Sequence, residues 1–288
     1  IGFGSVTATG FEVRQYLLPD YSDERAMLED AAGELTLGKT LVSYNGAAFD
    51  LNIIRERFII NRVDAEFTVR SHVDLLHTTR RLFKRRLGDC SLVNIERKLF
   101  GFHRRDDIPG YLVPSVFFSW LSEENADDMK LVLEHNRLDV LTLYFLLERC
   151  WRVFASGGRE LEEVMDIYSL SRVYGSRKQT DRVVDLLDEL VQQDSLEPDM
   201  RLYQAMALKR LGRWSEAVKL WTGLIHCRSR VGFLANIELA KYYEHRQKAF
   251  RRAHRLTSRA ISISSSGSGE RRQAEHRLHR LRTRMTRR

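Results

Sequence analysis

Cysteine is scarce in this chain. Cys90, Cys150 and Cys227 are widely separated, odd in number and without C-x-x-C spacing. That argues against a disulfide framework, offers no zinc-binding pattern, and fits reduced thiols in a cytoplasmic protein. No apolar run approaches a membrane span, and the first residues do not resemble a signal peptide, so no membrane partner is expected. Proline is limited to four residues, two of them in "FHRRDDIPGYLVPS", which is therefore read as largely loop. Lysine is absent from residues 251–288, where twelve arginines face two acids, Glu270 and Glu275. The net charge of +8 is thus local: 251–288 balance to +10, leaving 8 − 10 = −2 for residues 1–250. A basic end of this kind either meets a polyanion or is an ordinary solvated terminus.

What is present suits two domains, since 288 residues with 43% hydrophobic content can bury a sizeable core. "IGFGSVTATGFEVRQYLL" reads as a hairpin turning at Ala8-Thr9-Gly10. "SDERAMLEDAAGEL" is a helix with Ser22 as its N-cap. "TLVSY" is a buried strand, and "FDLNIIRERFIIN" is a helix with Leu51, Ile54 and Phe58 on one stripe. "HVDLL" is a strand end or a helix start. "TTRRLFKRRL" and "SLVNIERKLFG" are helical patterns parted at Gly88, the second closing on Gly101. A strong helix runs from Ala126 to the region of Arg149, and Gly157-Gly158 marks a domain boundary. Strands alternating with helices before residue 80 predict an α/β first domain.

Beyond residue 160 no strand pattern is visible, but a repeat is. In "RLYQAMALKRLGRWSEAVKLW", Ala205, Leu208, Gly212, Ala217 and Trp221 resemble the tetratricopeptide helix–turn–helix pattern. Tyr174 and Val183 precede Leu208 and Ala217 by 34 residues (208 − 174), and Ala253 follows Ala217 by 36. The expected organisation is an α/β domain over 1–155, all-α tetratricopeptide-like repeats over 160–265, and a basic tail over 266–288. "SISSSGSGE" is read as a flexible break before the end of that tail.

Two aspartates raise a question of chemistry. Asp50 stands in the first turn of its helix, where unpaired N–H groups and the helix dipole welcome any carboxylate. Asp139 lies mid-helix beside Val140 and Leu143, a poor place for aspartate without a partner. His135, four residues earlier, projects from the same face. The pair is either solvated or a metal-binding carboxylate beside a proton-handling group. "RRLFKRR" sets Arg80, Arg81, Lys84, Arg85 and Arg86 around Leu82 and Phe83, either to grip phosphate or as solvated charge. In "HRRDDIPG", Arg104 and Arg105 can pair internally with Asp106 and Asp107.

Together "YNGAAFD", "HVDLLH", "KRRLGDCSLVNIERKLFGFHRRDDIPG" and "EHNRLDVLTL" resemble the YprB-type ribonuclease-H-like domain of the DEDD 3′–5′ exonuclease superfamily. The resemblance implies a metal-dependent exonuclease on DNA or RNA. Asp50 and Asp139 would be its second- and third-motif aspartates, ligands to two Mg²⁺ or Mn²⁺ ions. His135 would orient water or act as general base, although histidine four residues before the last aspartate matches neither branch of that superfamily. Tyr44 and Asn45 would contact a terminal nucleotide or only make the turn, and Asp74 would support the site or cap the next helix. A first-motif D-x-E strand is absent before Asp50, and Ile1-Gly2-Phe3-Gly4 resembles the second strand of the fold. The chain is therefore expected to be a fragment, without the central strand and two carboxylates, and inactive as given. A non-catalytic adaptor that binds nucleic acid and recruits a protein through its repeats is the alternative.

Overall fold

The computed structural model describes residues 1–36, 40–63, 71–123, 126–192, 196–263 and 269–286. They form two compact units, Ile1–Leu161 and Glu162–Arg288. No helix among the described residues is long and apolar enough to cross a membrane.

In the first unit, strands β1 (Gly2–Thr7) and β2 (Gly10–Gln15) pair antiparallel, with Thr7 opposite Gly10. The hairpin lies against a long helix, α6 (Ala126–Ala155). Small residues allow that approach: a Cβ on Gly4 would come within 2.7 Å of Val140 Cγ1. Phe11 meets the Tyr144 ring at 4.6 Å, and Gln15 Nε2 donates to the Leu133 carbonyl at 2.7 Å.

Helix α1 (Glu24–Thr36) buries Leu28 and Ala31. Its entry differs from expectation: Ser22 lies within a 3₁₀ turn, Tyr21–Asp23, and the cap is Asp20. The Asp20 carboxylate accepts from the Ser22 N–H at 2.8 Å and from its hydroxyl at 2.7 Å. One oxygen of the aspartate two residues upstream, Oδ1, serves both donors, and the serine hydroxyl becomes a donor.

Strand β3 (Thr40–Ser43), helix α2 (Asp50–Ile60) and strand β4 (Ser71–Asp74) form a β–α–β unit with parallel pairing, Ser43 opposite Asp74. Among the described residues no strand joins this ladder to the β1–β2 hairpin. "HVDLL" is both of the things its sequence allows, since α3 (Leu75–Leu87) starts where β4 stops. Helix α3 buries Leu75, Leu76, Leu82, Phe83 and Leu87 and packs against α6. Helix α4 (Leu92–Ile95) runs into a π-helical turn, Glu96–Phe100, closed by Gly101 at φ 67°. The stretch read as loop holds, after a 3₁₀ turn, the start of helix α5 (Val113–Glu123). Pro114 does not prevent this, because a first-turn N–H has no intrahelical partner to lose.

The second unit is helical throughout its described residues. Helices α7 (Val164–Ser176), α8 (Thr180–Gln192), α9 (Pro198–Arg210), α10 (Trp214–Leu224), α11 (Arg230–His245) and α12 (Phe250–Ile263) each pack on the next. Val183, Ala217 and Ala253, at one position of the sequence repeat, are all buried. Lys178, Gly212 and Lys248 take φ of 60°, 77° and 52° where α7, α9 and α11 give way to their partners. They too are spaced by 34 (212 − 178) and 36 (248 − 212) residues.

The basic tail, read as either polyanion-binding or a solvated terminus, is a docked helix over its described residues. Residues 269–286 form α13 (Gly269–Thr286), packed on α12. Ala274 joins Phe233 and Ala260 in one apolar cluster, and Leu281 joins Ala240 and Ala253 in another. Arg277, Arg280 and Arg284 converge on Glu244, whose side chain is fully buried. Enough of this helix's face is apolar or ion-paired to dock it. Residues 264–268 of the expected break, with Arg287 and Arg288, lie outside the described residues.

Candidate nucleic-acid cleft

The β3–α2 turn is shaped by three small features. Asn45 takes φ 64°, a left-handed conformation that asparagine tolerates. Gly46 must lack a side chain, since a Cβ there would lie 2.5 Å from Ser43 Oγ. Asp74 binds the turn from the end of the neighbouring strand. It accepts from the N–H groups of Asn45 at 2.9 Å, Ala47 at 3.2 Å and, as N-cap of α3, Leu76 at 3.0 Å. Asp74 therefore caps the helix and also supports the turn that delivers Asp50.

Asp50 opens α2, preceded by Phe49 without a side-chain cap. Desolvation pushes its carboxyl pKa up; its own helical N–H opposes this, and the charge of Asp74 adds to it. Tyr44 is fixed by its hydroxyl, which donates to the Cys90 carbonyl. Burial raises that phenol's pKa far out of the physiological range.

Asp139 and His135 sit in a network that the sequence only hinted at. Arg104, with its side chain 2% exposed, donates to both Glu96 oxygens at 2.6 Å and to Asp139 Oδ1 at 2.5 Å. It also reaches Asp107 Oδ2 at 3.5 Å. Burial works against the charge on this guanidinium, but its bonds to Glu96 and Asp139 outweigh that and raise its pKa. Glu96 is buried too and accepts from the Thr142 hydroxyl. His135 Nδ1 lies 2.7 Å from Asp107 Oδ1 and 3.2 Å from an Arg104 nitrogen. The shorter carboxylate distance assigns the proton to Nδ1. Nε2 lies 3.5 Å from Asp139 Oδ2. The internal pairing expected of "HRRDDIPG" exists for Arg104 with Asp107, but the guanidinium's shorter bonds go to Glu96 and Asp139. The available signal was Glu96 itself, an acid within the apolar run "LVNIERKLF".

A cleft of about 530 Å³ brings much of this together. It is lined by Tyr44 and Asn45, by Arg80 and Lys84 of α3, by the α3–α4 turn at Asp89–Ser91, and by His135 and Asp139. Arg81, Arg85, Arg86, Asp50 and Asp74 are not in its lining. Arg81 and Arg85 are exposed on other sides of α3, and Arg86 reaches the Lys98 carbonyl at 3.5 Å. The cleft thus offers two cations, an aromatic ring and a carboxamide beside a carboxylate–imidazole pair. That donor set suits a phosphate backbone and a base.

The described residues do not make a divalent-metal cage. Both aspartates are hard oxygen donors, but Asp139 has one oxygen on Arg104 and the other facing His135. Among the described residues no group of three or more acidic, histidine or cysteine side chains is placed to hold a metal ion.

Residues 1–151 match the family model described as RNase_H superfamily. The chain belongs to that superfamily. The ribonuclease-H-like fold of the first unit therefore stands. The chain is also 32% identical, over 268 residues, to "Uncharacterized protein YprB" of Bacillus subtilis (strain 168). That alignment covers 91% of this chain and 64% of the relative. No solved structure matches.

Proposed function

We propose that this ribonuclease-H-like chain supplies the substrate-gripping part of a 3′–5′ exonuclease acting on DNA or RNA, with tetratricopeptide-type helices that recruit a protein. The observation that carries this is the single cleft shared by Tyr44, Asn45, Arg80, Lys84, His135 and Asp139. Arg80 and Lys84 face the phosphates, and the Tyr44 ring, immobilised through its hydroxyl, stacks a terminal base. His135, oriented by Asp107, holds its free Nε2 toward Asp139 as a general base or water-orienting group. Divalent-metal chemistry, in this reading, needs carboxylates besides Asp50 and Asp139. The repeat assignment is supported by the spacing of Lys178, Gly212 and Lys248 and by the buried Val183, Ala217 and Ala253.

The deciding assay is hydrolysis of 3′- and 5′-labelled single strands by the complete gene product in Mg²⁺ or Mn²⁺. Asp50→Ala and Asp139→Ala should each abolish turnover with the fold retained, and His135→Ala should slow it by about 10²–10⁴-fold. Either aspartate variant remaining near the wild-type rate would remove the assignment. The second reading, a non-catalytic adaptor, is favoured by the Arg104 guanidinium seated on Asp139. Strand binding without any hydrolysis by the complete protein would decide for it.

A further inference from the structure

The arginines of α12 and α13 differ in what they meet. Arg277, Arg280 and Arg284 are held by the buried Glu244, and Arg271 donates to the Ile261 carbonyl of α12 at 3.0 Å. These serve the docking of α13. The four arginines of α12 do not. Arg251, Arg252, Arg255 and Arg259 are exposed, and at 3.6 residues per turn they fall within an arc of about 100°. The buried side of the helix, Ala253, Thr257 and Ala260, lies opposite. Arg252 rests over the Tyr243 ring, its guanidinium carbon 4.5 Å from the centroid. Arg259 lies 2.5 Å from His226 Nδ1, so no acid answers it there. No acidic residue occurs in α12 at all.

We propose that this arginine face of α12 is a second nucleic-acid surface, binding phosphate backbone without sequence preference. From Arg251 to Arg259 it extends about 12 Å, long enough to touch successive phosphates. Guanidinium groups pair with phosphate through two parallel donors. The face carries no apolar side chain of α12 to insert into a lipid surface. A polyanion is the partner whose chemistry such a surface fits. The inference is independent of hydrolysis and of the cleft in the first unit.

The test uses the full chain and short labelled oligonucleotides, single-stranded and duplex, titrated at several salt concentrations. Arg251→Gln/Arg255→Gln/Arg259→Gln keeps good helix formers in place. It should weaken binding to all sequences at least tenfold and flatten the log–log salt slope by about 0.7–0.9 for each phosphate no longer engaged. The corresponding triple lysine variant should retain most of the slope. Circular dichroism should show unchanged helicity and melting for both. An Arg80→Gln/Lys84→Gln variant run alongside reports on the cleft, so failure of that site and of this one are read separately. Unchanged affinity and slope in the glutamine variant would overturn the proposal. So would loss of binding to phosphatidylserine vesicles while oligonucleotide binding stayed intact.

Discussion

Asp50 and Asp74 are two carboxylates at successive helix starts with opposite energetic positions. Asp74 is satisfied by three backbone N–H groups. Asp50 is partly desolvated beside Asp74, and its pKa is raised. A carboxyl whose pKa is higher folded than unfolded contributes stability only while it is protonated. That contribution is complete below the unfolded carboxylate range and is lost as pH rises through the folded value. At neutral pH Asp50 therefore subtracts from stability. Asp50→Asn should raise Tm at pH 7, and the gain should shrink to nothing as the pH falls below the carboxylate range. A melting series across that range checks it, and a lower Tm at pH 7 would contradict it. The positions of Asp50 in a helix's first turn and of Asp139 in mid-helix were legible. What the Asp139 carboxylate touches was not, because Arg104, itself held by Glu96, reaches it from 35 residues away (139 − 104), beyond any local pattern.

Among the elements, α13 shows how a charged sequence conceals a packed helix. Of its 18 residues, six are arginine, and its apolar stripe is short and partly alanine. Docking rests on Leu281, Ala274 and the Glu244 cluster, whose partners on α11 lie 33 to 41 residues earlier (277 − 244, 274 − 233). The repeat, by contrast, was readable, since helix hairpins bury a small residue at a fixed interval and turn at a fixed interval. Glu244 accepts from Arg277, and from Arg280 at 2.9 Å and Arg284 at 3.3 Å. Removing its charge leaves three guanidinium groups facing a buried amide. Two of these arginines are nearly half exposed and can turn to water, so the loss falls below the ~3–5 kcal/mol of a fully buried pair. Glu244→Gln should cost about 1–3 kcal/mol, concentrated in α13. Hydrogen exchange should rise first over 269–286, with α7–α10 unchanged. Equal protection of α13 in both proteins would show that its apolar packing suffices alone.

For the whole molecule, the order of segments identified the ribonuclease-H-like unit, but membership does not supply the donors for catalysis. Phosphodiester hydrolysis of the two-metal kind needs oxygen ligands converging on ions roughly 3.5–4 Å apart. The described residues offer Asp50 and Asp139, and the latter is already neutralised by Arg104, itself anchored on Glu96. A divalent ion at Asp139 would have to displace a buried guanidinium and leave its charge beside the ion. Residues 1–288 alone should therefore neither degrade oligonucleotides in Mg²⁺ or Mn²⁺ nor be stabilised by them. Metal binding at a hundred times its Kd would add about 2.7 kcal/mol to stability, a shift of several degrees that thermal melting resolves. The expected Tm is unchanged from metal-free buffer to millimolar Mn²⁺, in the wild type and in Asp139→Asn alike. A rise of several degrees in the wild type, absent in Asp139→Asn, would mean that Asp139 releases Arg104 to take a metal.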